Sequence, residues 1–213
     1  MGLAISIITL KNILQGDFIM TDLKAYLENK LRCVMSSWNE SGIYAISFFV
    51  YSNEAFEYDG CSNVTTFSVS YNTEDDCNGA DRLSEERWNY AFWRQDETPI
   101  IDVDGDSDGM KVLFEWYKEN NIDNIGYEDY EACYDDEMRY IGKGPVGYYE
   151  LLEVITAVAE NLQTSGFIKN KFGAPIPIII HDLDYSWYVF EATEKANPNG
   201  EANDFFATMK IEA

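Results

Sequence analysis

Residues 43–52 read IYAISFFVYS and residues 64–71 read VTTFSVSY, and these two runs decide the fold class. The first is dense in aromatic and β-branched residues. The second alternates, with Val64, Thr66, Ser68 and Ser70 on one face and Thr65, Phe67, Val69 and Tyr71 on the other. Period-two alternation of such residues marks a half-buried strand. The intervening EAFEYDGCSN is polar and reads as a loop. The two runs are therefore expected to pair as an antiparallel hairpin with a long connection.

Outward from this pair the pattern changes period. On the N-terminal side, Leu23, Leu27, Leu31, Val34 and Trp38 recur at spacings of three and four, which predicts an amphipathic helix capped by Thr21 or Asp22. On the C-terminal side, LSEERWNYAFWRQ opens on a capping Ser84 and places Trp88 and Phe92 four apart, so a helix burying both rings is expected until Pro99 stops it. A short extended PII follows, then the helical MKVLFEWYKEN. The clearest helix is YYELLEVITAVAENLQTSGF, with Leu151, Ile155, Val158 and Leu162 on one side and Gly166 as its stop. PIPIIIHDL is nearly continuously apolar, as a buried strand is. SWYVFEATEKANPNG is expected to start as a strand and turn helical before Asn197-Pro198, and EANDFFATMK to form a last short helix. Strands early and late with helices between predict an α+β domain with a mainly antiparallel sheet and helices packed on one face.

The N-terminus raises a question of its own. Met20 stands directly before the helix cap, and residues 15–20, Gln-Gly-Asp-Phe-Ile-Met, can be encoded by CAA GGA GAT TTT ATA ATG. That string contains AAGGAG, a bacterial ribosome-binding sequence, ahead of ATG. Two readings stand: residues 1–19 are upstream message translated from too early a start, or they are an N-terminal arm whose LAISII packs on the domain. In both, residues 20–213 form one domain.

The chain of 213 residues is 46% hydrophobic and 15% aromatic, enough for a sizeable core, and its formal charge is −23. A charge of that sign disfavours a nucleic-acid backbone or an anionic membrane and suits a basic partner. MGLAISIITL lacks the basic start and cleavage site of a secretion signal, and no apolar run is long enough to span a bilayer. Cys33, Cys61, Cys77 and Cys133 are scattered without C-x-x-C spacing. A cytoplasmic protein with reduced thiols is the expectation.

Three motifs could carry chemistry. Residues 104–115, DGDSDGMKVLFE, fit the calcium-loop pattern, with Asp104, Asp106, Asp108 and Glu115 as candidate ligands and Gly109 at the turn. The context is wrong for an EF-hand: Pro99 precedes the loop, Lys111 stands where an apolar residue is expected, and no second loop exists. An acidic cap on the following helix is the plainer reading. His181, the one histidine, lies in HDLD beside Asp182 and Asp184 and could do acid–base work, against the plainer reading of a structural strand-end histidine. RWNYAFW, residues 87–93, is either an aromatic recognition surface or, as aromatics at this spacing usually are, part of the core.

The charge distribution is more informative. Between Asp96 and Glu137 there are fifteen Asp or Glu against two Lys and no Arg, interleaved with tyrosines. Solvation explains most acidic runs, but acids mixed with tyrosines also make a partly apolar, negative docking face. The candidate partner-binding residues are Asp123, Glu128, Asp129, Tyr130, Tyr134, Asp135, Asp136 and Glu137.

YAISFFVY, FSVSYNTED, EERWNYAFW with DETPII, and IIIHDLDYSW with KANPNG together resemble an uncharacterised bacterial family of DUF4303-like domains, over most of the chain from about Thr21. Arg87, Trp88 and Asn89 are the most distinctive part. Such families resemble in role the SMI1/KNR4-like immunity proteins of bacterial toxin systems. The resemblance implies binding and no assigned catalytic residue. The expected function is thus a bacterial binding protein that occludes a basic toxin through its acidic, tyrosine-rich surface, with no cofactor. The alternatives are a calcium module on the 104–115 loop and a small hydrolase built on His181.

Overall fold

The computed structural model describes residues 22–104 and 107–209. Both readings of residues 1–19 fall outside this range, as does the candidate ligand Asp106. Helix α1 (Leu23–Ser37) begins where Asp22 accepts a hydrogen bond from the Ala25 amide at 2.9 Å, and it buries Leu23, Leu27, Leu31 and Met35. Each such side chain withdrawn from water stabilises the fold by roughly 1.5–3 kcal/mol.

Strands β1 (Ile43–Ser52) and β4 (Thr65–Thr73) pair antiparallel, with Phe48 opposite Val69. Their connection carries a small hairpin, β2 (Glu57–Tyr58) with β3 (Cys61–Ser62), where a plain loop was expected. β5 (Thr98–Ile101) adds antiparallel to β4, and β6 (Ile178–His181) adds parallel to β1, giving the order β5-β4-β1-β6. The fold is α+β with a mostly antiparallel sheet.

One sheet face presents Ile46, Phe48 and Val50 of β1, Phe67 and Val69 of β4, and Ile178 and Ile180 of β6. It packs against α1, α3 (Ser107–Glu119) and α4 (Tyr148–Thr164), which contribute Met110, Leu113, Leu151, Ile155 and Val158 among others. The long helices thus share one face. The opposite face carries a smaller cluster of Tyr44, Ala45, Trp88, Tyr90, Trp93, Ile179, Phe190 and Phe205.

Residues 83–95 do not form the single helix that their aromatics suggest. α2 (Glu85–Trp88) stops at Asn89, whose extended backbone and side chain, accepting from the Ala91 amide at 2.9 Å, start a separate 3-10 turn (Tyr90–Phe92). Trp88 is buried while Phe92 is exposed, so the two rings do not share a face. The Trp88 and Trp93 indoles instead donate to the Arg82 and Arg87 carbonyls. A further short helix, α5 (Phe167–Phe172), follows Gly166.

α6 (Trp187–Ala196) is helical from its first residue rather than beginning as a strand. Tertiary context overrides the β-type residues WYVF here. α6 runs beside β6 and satisfies its open edge. Thr193 Oγ1 exchanges hydrogen bonds with the Ile180 amide and carbonyl, both at 2.9 Å, and Asn197 does the same for Ile178 at 2.9 and 2.7 Å. Side chains of a helix therefore do what a further strand would do, and the edge is closed to other chains. α7 (Asn203–Thr208) ends the described chain as expected.

Candidate functional site

Because β1 and β6 are parallel, their C-terminal ends emerge together. In sheets with parallel strands, ligands bind in the crevice outside such ends. Here an open cleft of about 1300 Å³ lies there. Tyr51 to Glu54 leave β1 on one side of it, and Asp182 to Trp187 connect β6 to α6 on another. The N-terminal end of α4, with Tyr148, and the segment between α3 and α4 complete the wall.

That segment, residues 120–147, folds back on itself. The Gly126 amide donates to the Val146 carbonyl and the Val146 amide to the Tyr127 carbonyl, both at 2.9 Å, so its two ends are tied together. Gly126, at φ +83°, lies so close to β3 that a Cβ would fall onto the Ser62 carbonyl. Inside the segment Tyr134 and Tyr140 form a β-bridge, and Asp135 Oδ1 accepts from the Glu137 and Arg139 amides. Trp187 Nε1 donates to the Gly142 carbonyl at 3.0 Å and docks the segment onto α6.

Nine of the 24 residues that line the cleft are aromatic. Tyr148 and Tyr188 stand with ring centroids 5.4 Å apart, Trp187 and Tyr188 5.5 Å, Tyr134 and Tyr140 5.5 Å. The Tyr148 hydroxyl donates to the Val50 carbonyl, and the Tyr140 hydroxyl donates to Glu128 at 2.7 Å while accepting from the Gly144 amide. Burial pushes the phenols of Tyr140, Tyr148, Tyr185 and Tyr188 well above their ordinary range, so they are donors and neutral surfaces at any physiological pH. Asp182 is only 7% exposed. Its Oδ1 accepts from the Asp184 and Ser186 amides at 3.1 and 3.2 Å, fixing the turn into α6 and placing a carboxylate at that helix's N-terminus.

Of the residues expected to bind a partner, Glu128, Tyr130, Tyr134 and Asp135 line the cleft. Asp123, Asp129, Asp136 and Glu137 are exposed on the same segment without lining it. Part of the charge is answered internally: Arg139 pairs with Asp135 at 2.8 Å and Glu137 at 3.2 Å. Among the described residues no Lys or Arg pairs with Asp123, Asp129 or Asp136. Sequence reasoning missed Tyr51, Tyr148, Tyr185, Tyr188 and Trp187 as cleft residues, and it gave Asp182 and Asp184 a role only beside His181. The available signal was HDLDYSW itself, where an acid-rich turn meets aromatics at the end of a buried strand.

His181 is wholly buried. Its Nδ1 lies 3.2 Å from the Asp182 carbonyl, which can only accept, so Nδ1 carries the proton and Nε2 accepts from Ser47 Oγ at 2.7 Å. Its ring lies against Phe49 and Tyr90, and burial lowers its pKa to about 4. It is a neutral structural histidine facing the second core.

Around the calcium-like loop, the Asp104 amide donates to Asp102 Oδ1 at 2.7 Å, and Asp108 lies in the first turn of α3. α3 begins at Ser107, so Glu115 stands eight residues along it, about 12 Å of helix rise from that start. Among the described residues no group of three or more His, Cys, Asp or Glu side chains is arranged to hold a metal ion.

Arg87 buttresses the second core: it pairs with Glu74 and lies over the Tyr44 ring at 3.9 Å. The Tyr44 phenol, buried there, is raised to about 12. No family model, no curated protein and no solved structure matches the chain. No helix among the described residues is long and apolar enough to cross a membrane.

Proposed function

We propose that this protein is a binding protein that receives a basic segment of another protein in its tyrosine-walled cleft, in the manner of an immunity protein occluding a toxin. One observation carries the reading: among the described residues, Glu54, Glu128, Asp135, Asp182 and Asp184 line the cleft against the single cation Arg139. Tyr130, Tyr134, Ile141 and Leu183, four of the eight large apolar side chains that are exposed among the described residues, line the same cleft. Exposed apolar groups gathered in one place mark an interaction surface, and the carboxylates select a cationic occupant. The cleft exceeds the roughly 300–1,000 Å³ of small-molecule pockets, which suits a length of polypeptide. A chain carrying −23 charges draws such a partner in by long-range steering.

The test is fluorescence anisotropy with a labelled Lys/Gly peptide at 50 and 300 mM NaCl. Binding should weaken with salt. It should weaken by about tenfold in the double variant Glu54→Gln, Asp184→Asn, the equivalent of ~1.4 kcal/mol. The control variant Glu153→Gln, Glu160→Gln, on the exposed side of α4, should bind as the wild type does. Equal weakening of both variants, or no binding by the wild type, overturns the proposal.

A further inference from the structure

The sheet is stepped at the cleft. β6 accompanies β1 only from Ile46 to Phe49, the last pair being Phe49 with His181, whereas β1 runs on to Ser52. After His181 the chain turns away into α6, held there by the Asp184 and Ser186 amides on Asp182 Oδ1. The Ile46 amide donates to the Pro177 carbonyl at 3.0 Å, so the main-chain groups of Ile46 face the β6 side. Main-chain groups alternate between the two edges of a strand, and β1 pairs with β4 without irregularity from Ala45 to Ser52. Phe48, Val50 and Ser52 therefore aim their N–H and C=O at the β6 side as well.

Beyond the end of β6 this side of β1 is treated in two ways. The Val50 carbonyl accepts from the Tyr148 hydroxyl at 3.1 Å. Two residues on, Ser52 uses its Oγ on Thr65 Oγ1 at 3.0 Å, but among the described residues no loop, cap or side chain bonds to its amide or carbonyl. Ser52 is half-buried and lines the cleft, so both groups face it. The far edge of β6 offers the contrast: there Thr193 and Asn197 take the amides and carbonyls of Ile180 and Ile178. An unpaired donor and acceptor side by side on a strand edge are a template for another strand.

We propose that the partner's basic segment enters the cleft as an extended strand and pairs with Ser52, in line with β6. This rests on the reading of the cleft as a site for a basic polypeptide and gives that polypeptide its conformation. The Ser52 amide donates to one of its carbonyls and the Ser52 carbonyl accepts one of its amides, at the usual strand spacing of about 4.8 Å. A helical segment cannot make these bonds, because its own main chain is already satisfied. The main-chain pair supplies affinity without regard to sequence, and the carboxylates that line the cleft select for positive charge.

The experiment compares a labelled Lys/Gly peptide with the same sequence N-methylated at every backbone amide. The charge is unchanged, but each N–H is gone and a methyl group stands where β1 would approach. With the wild-type protein the methylated peptide should bind about tenfold more weakly, as two lost hydrogen bonds imply. Ser52→Pro removes the donor facing the cleft and no bond to β4, and it should bind the two peptides alike. Ser52→Ala, which loses the same contact with Thr65, should keep the preference. In the unaltered protein, saturation with the Lys/Gly peptide should slow hydrogen exchange of the Ser52 amide about tenfold. Should the wild type bind both peptides equally, should a folded Ser52→Pro keep the preference, or should the Ser52 amide exchange at one rate with and without peptide, strand pairing is refuted while the wider reading stands. If neither peptide binds, both fall together.

Discussion

Acidification should unfold this protein partly through one residue, His181. The imidazole is wholly buried, held neutral between Ser47 and the Asp182 carbonyl, and its pKa is lowered from 6.5 to about 4. The unfolded chain binds the proton near pH 6.5 and the folded chain only near pH 4. Stability from this group is thus present in full above 6.5, declines as pH falls between the two values, and is lost entirely below 4. A difference of about 2.5 pH units at about 1.4 kcal/mol each amounts to about 3 kcal/mol. For a domain of this size that corresponds to a fall of about 6–12 °C in Tm. Carboxylates also titrate in this range, so the comparison needs His181→Phe, which lacks the proton site and still fills the ring contacts with Phe49 and Tyr90. At pH 7.5 the variant should be the less stable, since Ser47 Oγ loses its acceptor. Urea denaturation between pH 7.5 and 4 should show the gap closing by about 3 kcal/mol. A gap that stays constant over that range refutes the claim that the buried imidazole is neutral.

Two further perturbations probe the scaffold that positions the cleft. Asn197→Ala removes the side chain that serves both the amide and the carbonyl of Ile178 and the Gln163 amide. It leaves buried polar groups unmet and should cost about 2–4 kcal/mol in urea denaturation, with amide exchange at Ile178 accelerating more than at Phe48. Gly147 holds φ +95° where the chain enters α4, and an added Cβ would lie 2.9 Å from the Tyr117 hydroxyl. Gly147→Ala should cost about 1–3 kcal/mol and, by displacing Tyr148, weaken peptide binding. Unchanged stability there would mean that the turn is not constrained as described.

What the sequence revealed follows from how locally each element is determined. β4, α1, α3 and α4 carry period-two or period-3.6 patterns set mainly by one buried face, β1, buried on both faces, is marked instead by its density of aromatic and β-branched residues, and each stands where the sequence places it. α6 was obscured because its first residues, Trp187 to Phe190, are strand formers. What makes them helical is tertiary: the Asp182 turn ahead of them, and Thr193 and Asn197 reaching β6 one and two turns on. Residues 83–95 misled in the opposite direction. Their aromatics are spaced as on a helix, yet Asn89 caps the next turn and both indoles seek carbonyls, which breaks the segment.

The cleft was half legible for the same reason. Composition exposes Glu128, Tyr130, Tyr134 and Asp135, because an acidic, tyrosine-rich run is visible in the chain itself. It does not expose Asp182, Tyr188 or Tyr51, which join that run only because β6 lies parallel to β1 and delivers its end to the same place. This convergence separates a solvated acidic loop from a site. On the segment alone, Arg139 already answers Asp135 and Glu137, and the rest would be screened by water and salt. Set against a nearly buried carboxylate from another element and a wall of neutral phenols, the same charge acts at lower dielectric, where a unit charge at contact is worth several times its value in water. The physical consequence is a division of labour within one acidic surface. On the proposed reading, Asp123, Asp129 and Asp136, exposed and with no ion pair among the described residues, should steer the approach of a basic partner, and their removal should change association and its salt dependence. On the same reading, Glu128, partly covered, and Asp182, buried, both of which line the cleft, should govern how long that partner stays, and their removal should change dissociation.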